Sequence, residues 1–114
     1  MKVAIIGSRN LDVDIEKYIP ENTTMIISGG AKGIDSLAET YANEHNIPTI
    51  IFKPDYSKYG RKAPIVRNQL IAKEADIVVA IWDGKSKGTA YTINYAQKIG
   101  KCTYTYFIHE VLDI

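Results

Sequence analysis

A glycine-rich segment between an apolar run and a helix-forming stretch is the sequence feature that most constrains the fold. Residues 23–27 are apolar or β-branched, and Ser28-Gly29-Gly30-Ala31-Lys32-Gly33-Ile34-Asp35 follows them directly. Side chains that can face a core then recur at three- and four-residue spacing, at Ile34, Leu37, Ala38, Tyr41, Ala42 and His45. This pattern predicts a strand that turns through glycines into the first turn of a helix.

A strand–glycine–helix turn of this kind can hold an anion. Glycines let backbone N–H groups approach a ligand closely, and the first N–H groups of a helix carry partial positive charge. We therefore predict that residues 28–35 bind the phosphate of a nucleotide-like ligand, with Lys32 adding charge and Asp35 capping the helix or binding a sugar hydroxyl. The alternative is a tight turn in which Asp35 only favours the first helical turn.

The rest of the chain alternates between the same two patterns. Strands are predicted at 3–6, 23–27, 48–52, 75–82 and 102–108, and a loop at 53–62. Helices are predicted from Asp12 or Asp14 to Ile19, over 34–45, from Pro64 with Ile65, Val66, Leu70 and Ile71 inward, and up to Gly100 with Ile93, Ala96 and Ile99 inward. We expect one domain over residues 1–114, an α/β Rossmann-like three-layer sandwich with a mostly parallel five-stranded sheet and helices on both faces.

The ligand-binding edge of such a sheet is also predictable. Ligands bind at the carboxyl ends of parallel strands, where the strand order reverses. Three polar or glycine-rich loops fall there, at 7–9, 28–35 and 83–89. Between Lys53 and Lys73, six basic residues stand against the acidic Asp55, together with Tyr56 and Tyr59. This segment could bind single-stranded nucleic acid or be an ordinary solvated loop.

Composition excludes several classes of protein. The net charge of +1 disfavours a general polyanion binder, and a single cysteine excludes an internal disulfide; Cys102 is expected to be a small buried side chain. No cofactor or metal site is predicted, because the dinucleotide motif G-x-G-x-x-G is absent and the two histidines lie far apart. The absence of G-x-S-x-G disfavours a Ser-His-Asp hydrolase. No apolar run reaches roughly 18 residues, so we expect a cytoplasmic protein without membrane contact. The last strand or an outer helix could pair two copies.

Four motifs, in this order, are similar to the SMF/DprA–LOG (SLOG) superfamily. They are Val-Ala-Ile-Ile-Gly-Ser-Arg at 3–9, the octet at 28–35, Ala-Pro-Ile-Val-Arg-Asn at 63–68, and Ala-Asp-Ile-Val-Val-Ala-Ile-Trp-Asp-Gly at 75–84 with Lys-Gly-Thr at 87–89. The chain most resembles the small stand-alone bacterial members. The resemblance implies a pocket for a nucleotide, a nucleotide derivative or nucleic acid, lined by Gly7, Ser8, Arg9, Ser28, Gly29, Gly30, Gly33, Asp35, Arg67, Asn68, Asp83, Gly88 and Thr89.

One departure from the family pattern bears on activity. LOG enzymes are phosphoribohydrolases in which a catalytic glutamate follows the glycine motif, whereas here Gly88-Thr89 precede Ala90-Tyr91-Thr92. We therefore expect ligand binding or sensing, and we assign no catalytic residue. The alternatives are a nucleotide hydrolase that uses Asp35 or Asp83 in another arrangement, and a single-stranded DNA-binding module, since the DNA-processing relatives bind such DNA.

Overall fold

The computed structural model describes residues 1–108, in which strands and helices alternate. None of the helices in this range has the length and apolar character to span a membrane. The elements are β1 (Lys2–Gly7), a first 3-10 helix (Ile15–Tyr18), β2 (Met25–Ser28), α1 (Ile34–Glu44), β3 (Thr49–Ile51), α2 (Tyr56–Tyr59), a second 3-10 helix (Gly60–Lys62), α3 (Ala63–Glu74), β4 (Ile77–Trp82), α4 (Lys87–Lys98) and β5 (Cys102–Phe107).

The five strands form one parallel sheet in the order β3-β2-β1-β4-β5. In the register of the sheet, Val3 pairs with Ile26 on one side and with Ile77 on the other, and Val78 pairs with Thr103. The strand order reverses between β1 and β4, so the loops that follow these two strands meet at the carboxyl end of the sheet. The predicted Rossmann-like α/β class is confirmed, with a sheet that is parallel throughout the described residues.

Each face of the sheet has its own apolar core, because successive side chains of a strand point to opposite faces. Ala4, Ile6 and Val78 pack with side chains of α3 and α4, such as Ile71 and Ala96. On the other face, the neighbouring strand residues pack with α1 and the first 3-10 helix, in a cluster that includes Val3, Ile5, Val79, Ile34, Ala38 and Ile15. Strands covered on both faces explain why their sequences are continuous apolar runs rather than alternating ones.

The segment predicted as a loop at 53–62 contains two short helices. The Asp55 carboxylate accepts hydrogen bonds from the backbone N–H of Lys58 (3.2 Å) and from the Ser57 hydroxyl (2.7 Å). This cap starts α2, and the second 3-10 helix continues from it into α3. The prediction of a plain loop was wrong because the polar composition concealed an N-terminal cap.

Four side chains predicted to be in the core are exposed. In α3 it is Ala63, Ile71 and Ala72 that are buried, which leaves Ile65 and Leu70 on the outer side of the helix. Ile99 follows the last turn of α4 rather than lying within it. Cys102 is exposed because β5 is an edge strand of the sheet.

Candidate functional site

The loops after β1 and β4 are joined by hydrogen bonds and close backbone packing, at the position where the strand order of the sheet reverses. A Cβ atom at Gly7 would lie 2.3 Å from the carbonyl oxygen of Ile81, so only glycine fits there. The next residue, Ser8, is buried; its backbone N–H donates to Ile81 O (3.1 Å), and its hydroxyl oxygen accepts from the backbone N–H of Asp83 (3.0 Å). These bonds fix where Arg9, which is exposed, leaves the sheet.

The glycine loop after β2 is stabilised mainly by its own protein contacts. The backbone N–H of Gly30 donates to the Ser28 hydroxyl (3.3 Å), and that of Ala31 donates to Asp35 Oδ2 (3.2 Å). At Gly33 the φ angle is +75°, and a Cβ atom there would lie 2.4 Å from the Arg9 carbonyl oxygen. Some of the backbone N–H groups that were predicted to bind a phosphate therefore donate to side chains of the protein instead.

Arg67 on α3 connects that loop to the centre of the site. Its Nη1 donates to the Gly29 carbonyl oxygen (2.7 Å), and its Nε donates to Asn68 Oδ1 (2.7 Å). A Cβ atom at Gly29 would lie 2.8 Å from Arg67 Nη1 and 2.9 Å from Asp35 Oδ2, so glycine is required for this approach. Two nitrogen atoms of the guanidinium group are thereby held in place by the protein.

Asp35 is a buried carboxyl group beside this arginine. Its pKa is raised from 3.8 to about 6, chiefly because burial disfavours the charged form; the Ala31 N–H and the Arg67 guanidinium favour the charge, and nearby Glu39 opposes it. Burial also lowers the pKa of Arg67, which the charge of Asp35 partly offsets. The site therefore contains a carboxyl group that changes its protonation near neutral pH.

Glu39 is a charged residue near the site that the sequence reasoning missed. Its Oε2 accepts a hydrogen bond from the Ser28 hydroxyl (2.7 Å). The signal was available, because Glu39 lies four residues after Asp35 and therefore on the same face of α1. Ser28 itself is fully buried and acts between Glu39 and the glycine loop.

The loop after β4 positions the first turn of α4. Asp83 Oδ1 accepts from the backbone N–H groups of Lys85 (2.8 Å) and Ser86 (2.9 Å), which hold the pKa of Asp83 below its usual value. Ser86 caps the helix, since its hydroxyl oxygen accepts from the Thr89 N–H (3.4 Å). At Gly88 the nearest atom to an added Cβ would be Asn68 Nδ2 at 4.0 Å, so this turn borders open space.

These elements surround two adjoining depressions at the carboxyl end of the sheet. The inner cleft has a volume of about 90 Å³ and is lined by Ile6, Gly7, Arg9, Ala31, Asp35, Arg67, Asn68, Ile71, Ser86, Gly88, Thr89 and Thr92. The outer groove has a volume of about 390 Å³ and is lined by Arg9, Gly29, Gly30, Ala31, Lys53, Pro54, Tyr56 and Arg67. Arg9, Ala31 and Arg67 line both, so the two depressions adjoin at these residues.

The family model described as "YAcAr: YspA, cpYpsA-related SLOG family" matches residues 1–59, which include the loops after β1 and β2. This chain belongs to the SLOG family. The Gene 61 protein of Mycobacterium phage D29 is 30% identical in an alignment 82 residues long, which covers 67% of this chain and 66% of the phage protein.

A solved structure with the same fold is that of DNA processing protein A (DprA) from Streptococcus pneumoniae. It aligns with a TM-score of 0.73 and 24% identity over 91% of this chain, but over only 49% of the DprA chain. The SLOG protein thus spans about half the length of that chain, and at this identity the likeness establishes the fold.

The structure of the SLOG protein sorts the predicted site residues into three groups. Lys32 is exposed and lines neither depression. Ser8 and Ser28 are buried, and Gly33 and Asp83 line neither depression; all four residues shape the loops through the contacts given above. The predicted residues that line the inner cleft or the outer groove are Gly7, Arg9, Gly29, Gly30, Asp35, Arg67, Asn68, Gly88 and Thr89.

Several lining residues were missed or given another role by the sequence reasoning. Ser86 lines the inner cleft, while Lys53, Pro54 and Tyr56 line the outer groove. Lys53 and Tyr56 belonged to the basic segment that was considered separately from the glycine loops. In residues 1–108 of the SLOG protein, no group of three or more His, Cys, Asp or Glu side chains could hold a metal ion.

Proposed function

We propose that this SLOG protein binds a nucleotide or a nucleotide-derived ligand, with an anionic phosphate group in the inner cleft. The observation that carries the proposal is the convergence of Arg9, Arg67 and the open first turn of α4 on one small polar cleft. Arginine side chains and the N–H groups of a helix N-terminus are the groups that proteins use for phosphate. They come from three separate elements, so the anion would bridge the loop after β1, α3 and α4.

The outer groove would hold the sugar and base of the same ligand. Its volume of about 390 Å³ lies within the range of about 300–1,000 Å³ that is usual for ligand pockets. Tyr56 borders it with a side chain that is 61% exposed, and its ring offers a face on which a base can stack. Lys53 adds positive charge on the same side.

The first experiment is a calorimetric titration with AMP, inorganic phosphate and adenosine. Arg9→Gln and Arg67→Gln should each weaken AMP binding by roughly 10- to 150-fold, because a hydrogen bond to a charged group contributes about 1.5–3 kcal/mol. Arg61→Gln is the matched control, since Arg61 is exposed and lines neither depression. Thermal unfolding of Arg67→Gln is measured in parallel, because that variant also loses the bond to Gly29.

Equal AMP affinity in the wild type, Arg9→Gln and Arg67→Gln would contradict the proposal. Adenosine that binds as tightly as AMP, so that the phosphate contributes nothing to affinity, would contradict the assignment of the inner cleft. The two alternative functions, nucleotide hydrolysis and binding of single-stranded nucleic acid, are tested with the same protein. Release of free base from AMP would indicate a hydrolase, although the residues after Gly88-Thr89 carry no carboxylate.

Single-stranded nucleic acid is the second candidate ligand. The outer groove is bordered by Lys53 and Tyr56, and the exposed Lys58, Arg61 and Lys62 follow it along the chain. An oligonucleotide that ran along these residues would release counterions, so its affinity would fall steeply as salt rises. Comparable affinities of AMP and an oligonucleotide, with little dependence on salt, would favour the mononucleotide.

A further inference from the structure

The inner cleft contains a carboxyl group beside the two arginines proposed to bind phosphate. Asp35 lines the cleft together with Arg9 and Arg67, and the residue is only 8% exposed. Its Oδ2 accepts a hydrogen bond from the Ala31 N–H at 3.2 Å. In the part of the chain that the structure describes, Asp35 and Arg67 form no ion pair. The carboxyl group therefore borders the cleft without an arginine in direct contact to neutralise it.

The charged groups around Asp35 come from three elements. Arg67 on α3 favours its ionised form, and Glu39, four residues later on α1, opposes it. Arg9, from the loop after β1, lines the same cleft, whereas Lys53 lines the outer groove and not the inner cleft. The side of the cleft formed by α4 and the loop before it carries no charge and consists of Ser86, Gly88, Thr89 and Thr92.

A bound phosphomonoester would change the balance of charge in this cleft. Its phosphate group carries a charge of about −1.5 to −2 at pH 7. Arg9 and Arg67 carry one positive charge each, which together match a dianion, so an ionised Asp35 would leave one negative charge in excess. Like charges that share a site raise the pKa of the weaker acid, because the last ionisation is disfavoured. A proton on the carboxyl group removes the excess.

The surroundings of Asp35 also suit a protonated carboxyl group. Because Oδ2 accepts from the Ala31 N–H, the proton belongs on Oδ1, which then becomes an O–H donor. The oxygens of a phosphate dianion can only accept hydrogen bonds, so they match this donor. Burial already raises the pKa of Asp35 to about 6, and protonation near neutral pH therefore costs little free energy.

We propose that the inner cleft takes up a proton at Asp35 when it binds a phosphomonoester, so that two arginines and a neutral carboxyl group hold the phosphate. This inference rests on the proposed function and adds a condition to it, namely that affinity falls as the pH rises. A phosphodiester carries a single negative charge, which the two arginines balance together with an ionised Asp35. Uptake of a proton is therefore specific to a ligand with a terminal phosphate.

The test is calorimetric titration of the full chain with AMP from pH 5 to pH 8, for the wild type and Asp35→Asn. Asparagine keeps an uncharged side chain that can donate to a phosphate oxygen. The two proteins should bind AMP with similar affinity at pH 5. At pH 8, Asp35→Asn should bind about 10-fold more tightly or better, since each unit by which the phosphate raises the pKa of Asp35 is worth a factor of about 10. The ionisation of AMP cancels from the ratio of the two affinities.

The protons taken up are counted from the binding enthalpy at pH 7 in two buffers that differ in ionisation enthalpy. The wild type should take up roughly half a proton or more per AMP beyond the uptake by Asp35→Asn, because a carboxyl group with a pKa of about 6 is mostly ionised at pH 7 before AMP binds. Glu44→Gln is the matched control, since it removes a charge from an exposed residue at the other end of α1. This variant should behave as the wild type does.

The outcomes separate this inference from the proposed function. A ratio of affinities that is the same at pH 5 and pH 8, or equal proton uptake by the wild type and Asp35→Asn, would overturn the inference and leave the proposed function in place. Tighter binding by the wild type than by Asp35→Asn at pH 8 would mean that the ionised carboxylate helps to hold the ligand, and would also overturn it. Absence of AMP binding by the wild type at every pH would overturn the proposed function together with this inference.

Discussion

Replacing Asp35 by asparagine should make the protein more stable above neutral pH. The pKa of this carboxyl group is about 6 in the folded protein, against 3.8 for an ordinary aspartate, and burial is the main cause. The folded state therefore holds the proton more tightly than the unfolded chain does. Stability is highest below pH 4 with respect to this group, falls as the pH rises from about 4 to about 6, and stays low above that range.

The magnitude follows from the same difference. Moving from 3.8 to about 6 corresponds to roughly 3 kcal/mol of lost stability in full, of which roughly 2.5 kcal/mol is lost between pH 4 and pH 8, because the unfolded carboxyl group is already half ionised at pH 4. Asparagine has nearly the same shape and keeps an oxygen that can accept from the Ala31 N–H, but it has no charge to bury. The attraction between Asp35 and Arg67 is already contained in the pKa of about 6, so it is not subtracted again.

The assay is urea unfolding of the wild type and Asp35→Asn from pH 4 to pH 8. The difference in unfolding free energy between the two proteins should grow in favour of the variant by roughly 2.5 kcal/mol across that range. The control is Asp55→Asn, because Asp55 is exposed and its pKa is lowered, so its contribution to stability changes only at more acidic pH. A difference that stays constant between pH 4 and pH 8, or moves against Asp35→Asn, would refute the reasoning.

Two glycine predictions separate backbone strain from the binding site. Gly33→Ala combines a φ of +75° with a backbone oxygen 2.4 Å from the new Cβ, so urea unfolding should show a loss of at least about 3 kcal/mol. Gly100 has a similar φ of +82° but open space around it, so Gly100→Ala should lower the free energy of unfolding by only about 1–2 kcal/mol. Equal losses in Gly33→Ala and Gly100→Ala would mean that the contact between the new Cβ of residue 33 and Arg9 has no effect on stability. Gly88→Ala should leave the free energy of unfolding unchanged or raise it by up to about 1 kcal/mol. Its methyl group should narrow the inner cleft and weaken AMP binding, measured by calorimetry. An AMP affinity equal to that of the wild type would mean that the phosphate binds elsewhere.

The fold was predictable because its strongest signals are local. Continuous apolar runs such as Val3–Ile6 of β1 and Val78–Ile81 of β4 indicate strands covered on both faces, and the glycine loops mark their carboxyl ends. Which side of a helix faces the core is less predictable from the sequence. Ile65 and Leu70 fit an apolar stripe by spacing, but both are exposed, and Ala63, Ile71 and Ala72 are the residues of α3 that face the core.

The candidate site was predictable in its location but not in the division of work among its residues. The sequence reasoning assigned Lys32 and Asp83 to the ligand pocket, but Lys32 is exposed and Asp83 binds the N–H groups of its own loop. Such roles depend on the positive φ angles of Gly30 and Gly33, which turn the loop, and on long-range bonds such as that from Arg67 to Gly29. Neither is written in the local sequence pattern.

The two arginines of the inner cleft differ in how far they are organised before a ligand arrives. Arg67 has its Nε and Nη1 bonded to Asn68 and Gly29, so the plane of its guanidinium group is set, and its remaining donors stay available to an anion. Arg9 is exposed and makes no side-chain hydrogen bond within residues 1–108, so ordering it would cost up to about 2 kcal/mol of side-chain entropy. If both bind the phosphate, Arg67 supplies a fixed half of the site and Arg9 closes over it. Loss of Arg67 should then weaken AMP binding more than loss of Arg9, because a preorganised group gives up less entropy for each hydrogen bond that it forms.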